Sequence, residues 1–132
     1  MQPYDFKTFR HQDIKMSKVE KFEDLNVWQD ARVLTNQVFL EFSELKDWGF
    51  RDQIQRASVS VMNNIAEGFE RNSDKDFKRF LIISKASCGE VRSMLYLAQD
   101  LKYLSDGKAE QLRNDSIRIS TALGSFIKYL AN

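Results

Sequence analysis

The sequence predicts an all-α protein, an up-down-up-down antiparallel four-helix bundle with long helices. Three observations lead there. The 132 residues include 5 Gly and 1 Pro, and Pro3 lies outside every periodic segment. A chain so poor in breakers sustains long helices. Apolar residues recur at three- and four-residue spacing through four stretches after residue 21. The breaks between them are short, so consecutive helices must return antiparallel, and no stretch keeps the period-two alternation of a strand. With 42% hydrophobic and 30% charged residues, the composition is that of one globular domain rather than a disordered chain.

Residues 1–21 show no helical stripe and mix Lys7, Arg10, Lys15, Lys18 and Lys21 with Asp5, Asp13 and Glu20. They are predicted to be a flexible N-terminal tail, with 22–132 as the bundle domain. Tyr4, Phe6 and Phe9 keep a second reading open, a basic arm that contacts a partner.

Helix 1 is predicted over about 27–45, with Asp24 or Asn26 as its cap, because a side-chain oxygen there accepts from the first-turn amides. Its stripe is Val27, Ala31, Leu34, Val38, Phe42 and Leu45. Residues 22–45 are acidic, with Glu23, Asp24, Asp30, Glu41 and Glu44 against Arg32 alone. Helix 2 is predicted over about 50–70, with Ile54, Ala57, Val61, Ile65 and Phe69 inward. A polar row keeps the same period on a neighbouring face: Gln53, Arg56, Ser60, Asn64 (or Asn63) and Glu67. Such rows are usually solvated. These members are short or amide-bearing, which suits a face packed against another helix or subunit. Gly68 reads as a loosening point in the last turn.

Helix 3 is predicted over about 74–104, capped by Ser73 with Asp76 three residues on. Its stripe is Phe77, Phe80, Leu81, Ser84, Ser87, Cys88, Val91, Leu95, Ala98 and Leu101. Its middle is small (Ser84, Ala86, Ser87, Cys88, Gly89), which invites close approach by a neighbouring helix. Gly89 costs about 1 kcal/mol relative to Ala in mid-helix, so a contact should offset it. Ser105-Asp106-Gly107 reads as a turn. Helix 4 follows over about 108–130, with Leu112, Ile119, Leu123, Phe126 and Leu130 inward and Ile117 and Ile127 flanking.

Chemistry is sparse. His11 is the one histidine and lies in the tail, which removes histidine triads and most transition-metal sites from the bundle. Glu67 and Glu90 are conceivable as paired carboxylates on facing helices, but an ion pair with Arg56, Arg79 or Lys85 is the better expectation. Cys88 on the apolar stripe reads as a buried, inert thiol, and a single cysteine excludes an intrachain disulfide. Gly68 and Gly89 are isolated, so no phosphate loop exists. No catalytic residue, metal site or cofactor is expected. No apolar run approaches the ~18 residues of a membrane span, and residues 4–9 alternate aromatic and polar rather than forming a signal core. The expected location is the cytoplasm.

Net charge is +1, modest for a protein that works mainly by docking on phosphate. Arg71, Lys75, Lys78 and Arg79 nonetheless cluster around the helix 2–3 turn. They read either as a solvated bundle end or as a phosphate-contacting patch aided by the amides that open helix 3. The 10 Phe, 4 Tyr and 2 Trp are generous for one small core. Trp28, Phe39, Trp48 and Phe50 lie at or beyond the stripe edges, the last two in the helix 1–2 connection, which tilts the reading toward self-association.

Phe22-Glu23-Asp24-Leu25-Asn26-Val27-Trp28, the stretch Gln53 to Arg71 around Asn64-Ile65-Ala66-Glu67-Gly68, Phe77 to Leu95 with Ser87 and Glu90, and Leu101-Lys102-Tyr103-Leu104 carry a family likeness. From Phe22 to about Leu130 the chain resembles the four-helix-bundle proteins encoded in 23S rRNA intervening sequences, relatives of the accessory variability proteins of diversity-generating retroelements. Met62 stands where that family often has Pro, and Ser84 and Ala86 replace its usual Ala and Gly. The resemblance implies a ring-like homopentamer and, for some relatives, nucleic-acid association. The expected function is a non-enzymatic homo-oligomeric module associating with RNA or an RNA-handling protein. In it Arg71, Lys75, Lys78 and Arg79 touch RNA, and Gln53, Arg56, Ser60, Asn64, Glu67 and Glu90 hold helices or subunits together. The alternative is a structural or protein-interaction bundle with no nucleic-acid binding.

Overall fold

The computed structural model describes residues 19–131. A short 3-10 helix, Phe22–Asp24, leads into α1 (Asn26–Glu41), α2 (Trp48–Phe69), α3 (Asp74–Asp100) and α4 (Asp106–Ala131). His11, the tail aromatics and the tail itself up to residue 18 lie outside the described residues. Val19, at the tail's predicted end, is half-buried against the core.

Cross-helix contacts fix the directions. Gln53 meets Glu90, Ser60 meets Ser87, and Gly68 meets Phe77 and Phe80, so α2 and α3 run antiparallel. Lys85 meets Gly124 and Gln99 meets Asp106, so α3 and α4 do too. Thr35 meets Ser58 and Phe42 meets Phe50, which sets α1 against α2. Lys108 reaches Glu41 at 3.9 Å and ties α4 to α1. Each helix packs on its two neighbours in a square, with α1 and α3 diagonal. This is the expected up-down-up-down bundle.

The predicted stripes form one core, with Leu34, Phe42, Ile54, Ile65, Leu81, Leu95, Leu112, Leu123 and Phe126 fully buried. Burying each such side chain contributes roughly 1.5–3 kcal/mol. Edge-to-face aromatic contacts close both ends. Phe77 packs on Phe69 and Phe126 at one end, and Phe50 on Tyr103 at the other. Small buried hydroxyls let helices approach and return their bonds to backbone carbonyls: Thr35 to Ala31 and Ser58, and Ser84 to Val61.

Several boundaries differ from expectation. Neither Asp24 nor Asn26 caps α1; Leu25 holds that position without a side-chain bond, and Gln29 reaches back to the Glu23 carbonyl at 2.8 Å. The helix stops at Glu41, not 45, so Leu45 is half-buried beyond it. Asp47 caps α2 by accepting from the Phe50 amide at 3.2 Å, which starts that helix two residues early. Trp48 and Phe50 are therefore helical rather than connecting, and Phe50 is a core residue. Ser73 does cap α3, accepting from the Asp76 amide. α3 ends at Asp100, about 40 Å long at 1.5 Å per residue, rather than at 104. Lys102 adopts φ 60°, Tyr103 donates to the Ala98 carbonyl and Lys102 to that of Gln99. This is a Schellman ending with lysine in the place usually held by glycine. Leu101 is turned out to solvent by it. Ser105 caps α4 through the Lys108 amide, so Asp106 and Gly107 form the first turn of a helix and not a loop.

The two mid-chain glycines exchange their expected roles. Gly68 is a close-approach point, where an added Cβ would lie 2.7 Å from the Phe80 Cβ. Gly89 has no atom within 4 Å of an added Cβ, and Ala86 is exposed. Only part of the small-residue stretch, Ser84, Ser87 and Cys88, makes contacts inside the chain.

Candidate functional site

The polar row of α2 borders α3, as its composition suggested, and two of its five members, Gln53 and Ser60, bond across to it. The Gln53 side-chain amide donates to Glu90 at 3.3 Å. Ser60 and Ser87 share a hydroxyl bond of 2.8 Å, and Asn64 donates to both the Ser60 carbonyl and hydroxyl. Ser87, expected on the core stripe, is thus half-buried at the seam. Arg56 and Glu67 behave differently: both are exposed and neither has an ion pair or hydrogen bond among the described residues. The expected ion pairs of Glu67 and Glu90 do not form. Nor do these two carboxylates face each other. In the antiparallel register Glu90 lies opposite Gln53, whereas Glu67 lies near the other end of the pair, beside Gly68 and Phe80. Arg56 instead lines an open recess of about 410 Å³ with Phe39, Asp52, Gln55, Val59 and Ser60.

At the α2–α3 turn, Arg71 and Arg79 both stack on Phe80, their guanidinium carbons 5.0 and 4.7 Å from the ring centroid. That gathers two cations on one ring. Arg79 also pairs with Asp76 at 3.8 Å. Lys75 is exposed and Lys78 half-buried close by. Glu67, Glu70, Asp74 and Asp76 occupy the same corner, so four carboxylates balance the four cations.

The outward face of α3 is unusually apolar. Ile82, Ile83, Leu97 and Leu101 are exposed along it, with Ala86 and the open Gly89 between them. On the inward side Cys88 donates its thiol hydrogen to the Ser116 carbonyl at 3.0 Å. Burial pushes that thiol up to about 12, against the opposing pull of Arg92 and Lys85. It is a poor nucleophile there. At the far end of the bundle, Tyr103 donates to Asp47 at 2.6 Å. That bond and the Phe50 amide hold the Asp47 carboxyl below its ordinary value, and the same bond raises the Tyr103 phenol. Among the described residues no group of three or more His, Cys, Asp or Glu side chains is placed to hold a metal ion, and no helix is long and apolar enough to cross a membrane.

The profile of the 23S rRNA-intervening sequence proteins matches residues 23–125. The chain belongs to that family. A crystal structure of a protein of unknown function from the S23 ribosomal protein family of Bacteroides thetaiotaomicron is similar, with a TM-score of 0.73 and 27% sequence identity over 77% of this chain and 98% of that one. Among curated proteins, none matches. In this 23S rRNA-intervening sequence protein, Asn64 and Ser60 of the quoted central motif serve the α2–α3 seam, and Gly68 serves close packing. Sequence reading missed Asp47 and Tyr103. Asp47 before an aromatic turn was a legible cap signal, but nothing in the sequence announced a bond between residues 56 positions apart.

Proposed function

We propose that this chain is a non-enzymatic bundle module that assembles with copies of itself in the cytoplasm and associates with RNA. The outward face of α3 carries the reading of self-assembly. Gly89 costs the helix about 1 kcal/mol relative to Ala, and no contact among the described residues uses the space it leaves. The surrounding Ile82, Ile83, Leu97 and Leu101 remain in water. A helix from a second copy, seated across Ala86 and Gly89, removes that apolar surface from solvent. Charge argues for a like partner. Arg56 and Glu67, on the adjoining row of α2, are opposite in sign and have no ion pair among the described residues, so one copy's arginine can meet another's carboxylate. The proposed number is five, as the family resemblance implies. RNA association is supported by the family's description.

Light-scattering mass at low and moderate salt, with absorbance read for co-purifying nucleic acid, tests both parts. A pentamer that sheds nucleic acid as salt rises is the expected result. A clean monomer refutes the assembly. An oligomer indifferent to RNA supports the alternative, a protein-interaction scaffold, which the balanced charge of the α2–α3 turn favours. Arg56→Ala should lower the mass while leaving the melting of the dilute protein unchanged. Unchanged mass removes Arg56 from the interface.

A further inference from the structure

The formal charge of +1 hides a polarised bundle. Residues 22–45, which include α1, carry five carboxylates against Arg32. From Phe77 to Gln99, α3 carries Lys78, Arg79, Lys85 and Arg92 against Glu90 alone. From Ser116 to Ala131, α4 carries Arg118 and Lys128 and no carboxylate. Because α1 and α3 are diagonal, the acidic and basic elements lie on opposite sides.

The basic residues of α3 also fall in register. Lys78, Lys85 and Arg92 are seven residues apart, which places them along one line at intervals of about 10.5 Å. That line borders α4. The Lys85 side chain lies over Gly124, 3.5 Å from where a Cβ would stand, and Lys128 is one turn further along α4. At the other end of the groove the Arg113 guanidinium stacks on Tyr96 at 4.3 Å, with the tyrosine 56% exposed. Lys78, Lys85, Arg92 and Lys128 have no ion pair among the described residues. The one carboxylate in this part of α3, Glu90, is turned to the α2 side, where it accepts from Gln53. Other carboxylates are Asp74 and Asp76 in the first turn of α3, Asp100, Asp106 and Glu110 around the α3–α4 connection, and Asp115 in α4, which pairs with Arg118 at 2.6 Å.

We infer that the α3–α4 groove, through Lys78, Lys85, Arg92 and Lys128 with Tyr96 and Arg113 at its end, is a binding track for the phosphate backbone of single-stranded RNA. The inference deepens the RNA reading above and rests on it. Three cations in line along about 21 Å of helix form a row that can follow a strand carrying one negative charge per nucleotide. An exposed aromatic ring with a guanidinium on one face is the platform on which an unpaired base stacks, which a purely acidic partner would not use. The track shares Lys78 with the α2–α3 turn but continues away from it along α4, whereas at the turn itself cations and carboxylates are equal in number. It runs along the α4 side of α3, next to the Ala86 and Gly89 strip proposed for self-assembly.

The test uses the full chain and a labelled uridine oligonucleotide of about 12 nucleotides, a length within the range such grooves hold. Binding is followed by fluorescence anisotropy across a salt series. Lys85→Gln, Arg92→Gln and Lys128→Gln together should weaken binding more than about tenfold and reduce the slope of log K against log salt by about 2, at ~0.7 for each phosphate no longer neutralised. Tyr96→Ala alone should weaken it about fivefold or more. Replacing Arg71 and Lys75 by Gln should have a much smaller effect. Circular dichroism confirms that each variant is folded; all the replaced side chains are at the surface. RNA bound equally by the triple variant overturns the track while leaving RNA association standing, as does loss confined to the turn variant. A wild-type chain that binds no RNA overturns both. Polyglutamate competing as well as RNA at equal charge, with Tyr96→Ala without effect, overturns RNA as the occupant.

Discussion

Replacing Gly68 by alanine and replacing Gly89 by alanine should move the stability of this bundle in opposite directions. Both residues are helical, so each substitution removes conformational freedom from the unfolded chain, a gain of about 0.5–1 kcal/mol. At Gly68 the new Cβ would lie 2.7 Å from the Phe80 Cβ, 3.0 Å from Phe77 Cδ1 and 3.3 Å from the Phe77 carbonyl oxygen. Two of those atoms are fixed to the backbone of α3 and cannot swing aside, so the helices must separate. Overpacking of that kind costs about 1–3 kcal/mol, leaving Gly68→Ala up to about 2.5 kcal/mol less stable than the parent. At Gly89 nothing lies within 4 Å, and the full gain is realised in the monomer. The two variants should differ by about 2 kcal/mol, or roughly 6–10 °C in melting midpoint for a domain of this size. The assay is a circular-dichroism melt over a range of protein concentrations, because assembly makes the midpoint depend on concentration. Dilution also separates fold from assembly: Gly89→Ala should raise the midpoint of the dilute protein yet lower its mass by light scattering. A Gly68→Ala protein that melts at or above the parent would refute the packing argument, and a Gly89→Ala protein of unchanged mass would refute the use of that face between copies.

Three further outcomes follow from particular contacts. Cys88, with its thiol pushed up to about 12 by burial, should resist iodoacetamide at pH 8 in the folded protein and react once denatured; modification of the native chain at the rate of a free thiol, read by mass spectrometry, would contradict that burial. Tyr103→Phe removes the bond to Asp47, whose folded carboxyl is depressed below 3.8 while the phenol is raised above 10.0. That contribution is present from above the ordinary carboxylate value to below the ordinary phenol value, and it fades as acid protonates Asp47 or base ionises Tyr103. The gap in melting midpoint between the two proteins should therefore be steady near neutrality and close at both extremes; a gap that persists in acid argues for a packing origin instead. Lys102→Gly should stabilise the chain by about 1 kcal/mol, because glycine adopts the left-handed conformation at φ 60° without the Cβ penalty, and an unchanged urea midpoint would sink this.

Legibility followed the range of the interactions involved. Ser73 capping α3 was readable because cap and amide are three residues apart. The end of α3 was not, since Leu101 and Leu104 extend the apolar period through the turn and no glycine marks it. The polar row of α2 was readable as a row, and its seam with α3 was a fair expectation from short side chains. Its bonds were not readable: an arginine and a glutamate on one helix invited an ion pair, and the register put Gln53 rather than a cation against Glu90. The basic residues were counted by segment and placed at the turn. Their alignment along α4 depends on which helix is the neighbour.

The sequence by itself determined the four helices, the faces they bury and the family, because apolar period and local breakers act within one or two turns of chain. Tertiary structure alone decided that Gly68 is a contact and Gly89 an opening, that Arg56 and Glu67 have no ion pair among the described residues, and that the line of Lys78, Lys85 and Arg92 on α3 runs beside Lys128 of α4. Each of these depends on axial register and on which helices are adjacent, and both are set by how the whole core packs.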